Sequence, residues 1–349
     1  MFPGLTSGDF DCYEPRKWKS NVYNRERMEV RQKLLQLARD CASGLLGSDG
    51  APLHIEASVE HPAVWNHKQV DSQGVFFSRH EAARKELDLL MDRQKPISSL
   101  LDDPTPQRNH LFLAVTVTHD GIDAALKLHP DASIDRQNFV RKLDEHFEAD
   151  RLITLLHELP EGFRVGVLPE LRPVDVELTD EGLRDLVDSL PPGSGSPGSG
   201  GSGGSGSNGS GLGGLGGLGG LGGLGPLPGQ PVPPPHLFYL GRSLPRAEAA
   251  TLSAEAQEGW VREQLSWLLP VYRFIVWSRD NDFVSMRQVL DKEKTQRRQK
   301  GLSRHDKVRI VRGMLAGKDG LIQEVDAKGQ LKVLVGKLVV KVDAADVER

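Results

Sequence analysis

The sequence predicts an α+β protein: a mixed-sheet N-terminal domain with packed helices, a long disordered Gly/Ser/Pro/Leu insert, and a small all-β barrel at the C-terminus. Three observations predict it. Strand-like and helix-like periods alternate irregularly through residues 1–190, which favours helices packed on a sheet over regular βαβ repetition. Residues 191–235 are almost entirely Gly, Ser, Pro and Leu. From Asp306 onward, short apolar runs are punctuated by glycine. With 349 residues, 38% hydrophobic and 26% charged, the chain has material for two domains and their cores. Its net charge of -4 excludes a polycation, so any nucleic-acid contact must use a local basic patch.

Helical spacing runs from Asn24 to Leu46, with Met28, Leu34, Leu35, Ala38, Cys41 and Leu45 on one broad face. Strand-like runs follow at Leu53–Val59 and Gly74–Ser78, then a helix over Glu81–Arg93. Leu111–Val117 is apolar at nearly every position, as suits a central strand covered on both faces. Helices are expected at Asp135–Phe147 and Leu152–Leu159, and a short strand at Phe163–Val167. Thr179 begins a capped helix with Asp180 and Glu181 in its first turn.

The 191–235 tract cannot repay its ordering entropy by burial. As a coil its 45 residues would span roughly 35–40 Å. It reads as a spacer, with a Leu-dotted partner-binding segment as the alternative. It stands either as a linker or, the reading preferred here, as an insertion. The reason lies beyond it: a strand at His236–Leu240 and a helix at Arg246–Leu269 lead into Trp260, Trp267, Tyr272, Phe274 and Trp277, which need a core to enter. Residues 1–190 plus 236–290 then form one domain, 291–305 a basic leader, and 306–349 the barrel.

Catalytic signatures are sparse. There is no G-x-x-x-x-G-K-[ST] loop, no G-x-G-x-x-G after a strand and no G-x-S-x-G elbow. His54, His61, His67, His80, His110 and His119 show no helical ligand pair, so no metal or cofactor is expected. Trp277–Phe283 carries Arg279, Asp280 and Asp282, and reads as a helix end and turn sooner than as a metal or phosphate site. Cys12 and Cys41 lack metal or disulfide-scaffold spacing, and Met1–Thr6 lacks a secretory pattern; both predict a cytoplasmic, non-membrane protein.

From Lys292 to Lys318, ten Lys or Arg stand against the two acids Glu293 and Asp306. Such density attracts phosphate backbones by counterion release. From Asp319 onward six acids meet five bases. Val308–Val311, Leu321–Val325, Leu331–Val335 and Leu338–Val342 read as strands, with Ala345–Val347 a short fifth, Asp326–Gly329 a turn, and Gly313, Gly317 and Gly320 in a tight first loop.

These residues resemble a KOW module, the SH3-like β-barrel of NusG-type transcription elongation factors and several large-subunit ribosomal proteins. The resemblance rests on Asp306, Val308, Arg309, Ile310, Gly313, Gly317 and Gly320, with Leu321, Ile322 and the ending Val342–Glu348. Met314 and Leu315 stand where that family has Pro and an aromatic. The resemblance implies binding to RNA or to a ribonucleoprotein of transcription or translation. Arg297, Arg298, Lys300, Arg304, Arg309, Arg312 and Lys318 are the candidate phosphate contacts. The alternatives are an enzyme or small-molecule-binding α+β domain docked through the barrel, and a protein-interaction adaptor.

Overall fold

The computed structural model describes residues 1–63, 66, 68–92, 106–174, 178–190, 237–291, 302, 304–313, 315–325, 330–336, 338–343 and 346–348. The chain forms two compact units, Met1–Asn281 and Asp282–Arg349. The 191–235 tract, the 326–329 turn, and His67, Arg297, Arg298 and Lys300 lie outside the described residues.

The first unit runs α1 (Ser7–Asp11), α2 (Asn24–Cys41), β1 (His54–Ala57), β2 (Ser72–Ser78), α3 (Glu81–Asp92), β3 (Phe112–Thr118), β4 (Gly121–Leu128), α4 (Ser133–Leu143), α5 (His146–His157), β5 (Arg164–Val167), β6 (Glu170–Pro173), α6 (Asp180–Asp188), β7 (Phe238–Pro245), α7 (Arg246–Ala249) and α8 (Ala254–Ile275). Its seven strands are ordered β1-β2-β3-β4-β7-β5-β6. Every pairing is antiparallel. That corrects the mixed sheet. The unbroken apolar run of β3 suggested burial between two layers, but both faces are filled within an antiparallel arrangement. Leu113, Val115 and Val117 enter the main core, where α2, α4, α5, α6 and α8 pack. On the other face Phe112 meets Phe76 edge-on with ring centroids 5.4 Å apart, and Ala114 is buried.

β7 follows the 191–235 tract in sequence yet pairs with β4 and β5, so residues on both sides of the tract build one sheet. β4 has no counterpart in the sequence reading. Its Asp123 is held by β7: Tyr239 Oη and Ser243 Oγ donate to Asp123 Oδ1 at 2.5 and 3.1 Å, while Lys127 Nζ lies 3.1 Å from Oδ2. Close approach of the two strands demands Gly241, where an added Cβ would lie 2.5 Å from that of Ala125.

α2 ends at Cys41 rather than Leu46; Leu34, Ala38 and Cys41 of the expected face are buried, joined by Val30 and Leu37. Met28 is 43% exposed, whereas Arg27 is fully buried. Arg27 can enter because Nη2 donates to the Lys17 carbonyl at 2.7 Å and Nη1 to that of Ser20 at 3.1 Å. The single helix expected from Arg246 divides into α7 and α8, since Ser253 Oγ accepts from Ala256 N–H and starts a new helix. α8 then passes through Pro270, with buried Leu268, Leu269, Val271 and Tyr272 anchoring it on either side. α4 and α5 break at Asp144–Glu145, earlier than the helices read from sequence.

The second unit contains β8 (Lys307–Ile310), β9 (Asp319–Val325), β10 (Gln330–Val335), β11 (Leu338–Asp343) and β12 (Val347–Glu348). They form a five-stranded antiparallel sheet ordered β11-β10-β9-β8-β12. Period-2 alternation sends Val308, Ile310, Ile322, Leu331, Val333 and Val347 into a separate aliphatic core. No helix among the described residues is long and apolar enough to cross a membrane.

Candidate nucleic-acid interface

The alternation that buries Val308 and Ile310 leaves Lys307 and Arg309 exposed on the outer side of β8. The chain then doubles back on itself. Gly317 N–H donates to the Ile310 carbonyl at 2.6 Å, and Ile310 N–H donates to that of Lys318 at 2.9 Å. Gly313 (φ +88°) and Gly317 (φ +83°) occupy left-handed backbone that other residues enter at a penalty. The closed loop holds Arg312 and Lys318 in solvent.

Three of the seven candidate phosphate contacts, Arg297, Arg298 and Lys300, fall outside the described residues. Arg304, Arg312 and Lys318 are exposed and have no ion-pair partner among the described residues. Arg309 is placed differently. Its Nε donates to Asp319 Oδ1 at 2.9 Å, and Glu348 stands opposite it in the β12 register. The pair raises the Arg309 pKa and lowers that of Asp319 through their mutual hydrogen bond and charge. A phosphate approaching Arg309 must compete with that carboxylate. Sequence reading missed this pairing because residues ten apart across a loop share no period.

The candidates in the first unit stay apart. His54 Nε2 is 3.7 Å from Glu56, His61 Nδ1 is 3.6 Å from Glu60, and His119 Nδ1 accepts from Arg246 at 3.2 Å. No group of His, Cys, Asp and Glu suited to a metal occurs among the described residues. Cys12 and Cys41 are buried, and burial pushes their thiols up to about 11 and about 12, so neither is a nucleophile at neutral pH.

The Trp277–Phe283 stretch is a turn and a pair of caps. Asn281 Nδ2 donates to the carbonyls of Val276 at 2.7 Å and Phe274 at 3.0 Å, closing the end of α8. Asp282 accepts from the backbone of Met286 at 2.9 Å and Arg287 at 2.7 Å.

One polar network was not legible in the sequence. Arg79 Nη2 donates to Asp135 Oδ1, and Arg79 Nη1 donates to His110 Nδ1 at 3.2 Å. A guanidinium only donates, so His110 carries its proton on Nε2 and gives it to Asp88 Oδ1 at 3.1 Å. Burial first, then the charge of Arg79, lowers the His110 pKa and favours the neutral ring. Asp135, fully buried, also accepts from Leu111 N–H at 2.7 Å and Trp277 N–H at 2.8 Å. Each member already has protein partners, so the network ties β3, α4 and the end of α8 together.

No known family model matches the chain, and no curated protein matches it.

Proposed function

We propose that the protein is a cytoplasmic, non-enzymatic RNA- or ribonucleoprotein-associated protein whose C-terminal unit is a KOW-like module of SH3-like build. Val308, Arg309, Ile310, Gly313, Gly317 and Gly320 would be its motif residues. They support it by their positions: two buried strand residues, an exposed arginine between them, two loop glycines at positive φ, and a glycine on β9. At that last position an added Cβ would lie 2.4 Å from Val333 Cγ1.

The single observation that carries the reading is the placement of charge. Arg304, Lys307, Arg312 and Lys318 are all exposed on the approach to β8, its outer side and its loop. Lys292–Lys300 precedes them in sequence with five more cations. The binding edge is therefore the leader and first loop, and the remaining strands are scaffold. Arg309 contributes only after release from Asp319.

Fluorescence anisotropy with single-stranded RNA tests this. Four phosphate contacts give a slope of log affinity against log salt of about -3. Affinity absent at low salt, or unchanged when Arg312 and Lys318 become Glu, overturns the proposal.

A further inference from the structure

We propose that the first unit binds a small organic monoanion in the cavity between residues 47–49, the start of α3 and the end of α8, its oxygens taken by donors the fold leaves unpaired. The inference is independent of the RNA reading, which concerns the other unit.

The cavity has a volume of about 260 Å³ and is lined by Arg79, Ala82, Ala83, Tyr272, Trp277 and Ser278 among others. That is near the lower end of small-ligand sites. Four of the residues that line it hold a buried polar atom with neither a hydrogen-bond nor an ion-pair partner among the described residues: Arg79 Nε, Tyr272 Oη, Trp277 Nε1 and Ser278 Oγ; a fifth such atom without a hydrogen bond, His80 Nδ1, faces Asp49 at 3.0 Å. Folded proteins leave few such groups orphaned, and four around one cavity call for a common partner.

The chemistry of these atoms selects that partner. The Arg79 Nε–H and the Trp277 indole N–H can only donate. The other two Arg79 nitrogens are taken by Asp135 and His110, so Nε is the remaining one. Burial raises the Tyr272 phenol far above neutrality, which keeps its O–H as a donor. Arg79 is 6% exposed, Trp277 4% and Tyr272 0%, so water reaches them poorly. The first turn of the twelve-residue α3 also borders the cavity through Ala82 and Ala83, whose N–H groups have no intrahelical acceptor. Donors without acceptors, beside a helix N-terminus, suit a carboxylate or phosphoryl oxygen.

The carboxylates around the cavity disfavour a ligand of more than one negative charge. Arg79 is already balanced by Asp135. Asp49, Glu86 and Asp280 also line the cavity; Asp49 faces His80 at 3.0 Å and Glu86 faces Arg279 at 3.2 Å. A polyphosphate would meet these carboxylates. Ala82, Ala83, Val276 and the Tyr272 ring supply apolar wall for the ligand body.

The test is isothermal titration of the full-length protein with sodium benzoate and, separately, inorganic phosphate, at constant ionic strength with chloride as counter-ion. Saturable one-to-one binding of either probe is expected; benzoate alone identifies a carboxylate on an apolar body, phosphate alone a phosphoryl group. Tyr272→Phe, which deletes a donor and keeps the ring, and Trp277→Phe, which deletes the indole N–H together with part of the ring, should each weaken binding about tenfold. Tyr272→Phe should leave the ligand-free melting temperature unchanged or higher, because no internal hydrogen bond is lost. No saturable binding of either probe overturns the proposal, as does equal affinity in both variants. A lower ligand-free melting temperature in Tyr272→Phe also overturns it, since that donor would then already hold an internal partner such as a buried water.

Discussion

The two units handle charge in opposite ways. The first buries Arg27, Arg79, Asp135 and Lys142, each with protein partners. Every buried residue described in the second unit is aliphatic, and its charged side chains stand at the surface. A large unit has room to surround a charge with carbonyls, carboxylates and amides. A small sheet cannot supply those partners, so polar groups pointing inward would go unsatisfied. On the two proposals above, chemistry in the first unit is interior, in a cavity, while in the second it lies on an edge open to a macromolecule.

The largest effect should come from Asp135→Ala. It leaves the Arg79 guanidinium buried without its carboxylate and removes the acceptor for two backbone N–H groups. A loss of about 3–5 kcal/mol in denaturant unfolding is expected. All five tryptophans precede Asp282, so their fluorescence reports this unit. A loss no greater than that of an exposed substitution would break the contrast. Ile322→Ala, in the aliphatic core of the second unit, should lower its stability by about 2–5 kcal/mol, read as faster hydrogen exchange at the β9 and β10 amides.

His110 sharpens the comparison through pH. Its folded pKa lies below the unfolded value of 6.5. Below that value the unfolded chain takes a proton that the folded protein refuses. The stability held above pH 6.5 is thus lost as pH falls from there toward the folded pKa, by at most about 1.4 kcal/mol per pH unit. His110→Gln should flatten that dependence between about pH 7 and about pH 5 in denaturant titrations. An unchanged slope would remove His110 as its source.

On the other unit, Arg312→Glu with Lys318→Glu should reduce the salt slope of RNA binding by about 1.4. Asp319→Asn gives the smallest effect. It frees Arg309 and should raise RNA affinity about twofold or less at low salt, with little change in stability, because the pair is exposed. A fall in affinity would show that the carboxylate orients Arg309 for binding.

Local signals settled much of this architecture before any tertiary contact was considered. Thr179 announced α6, whose Gly182 N–H it caps at 3.2 Å, because capping acts within one turn. Val308 and Ile310, Leu331 and Val333 declared their inward face by strict alternation. The outward cations of β8, Lys307 and Arg309, follow from the same alternation: a strand residue beside a buried neighbour faces outward.

Tertiary structure alone decided the rest. β4 became a strand because β3 and β7 pair with its two edges, although its Asp123 and Lys127 blur any period. Arg27 displaced Met28 from the buried face once two carbonyls of the preceding segment met its guanidinium. Arg79, His110, Asp135 and Trp277 are brought together from far apart in the chain, as are the donors of the cavity. Hydrogen bonds between distant residues depend on how elements pack, and no spacing along a single strand or helix records them.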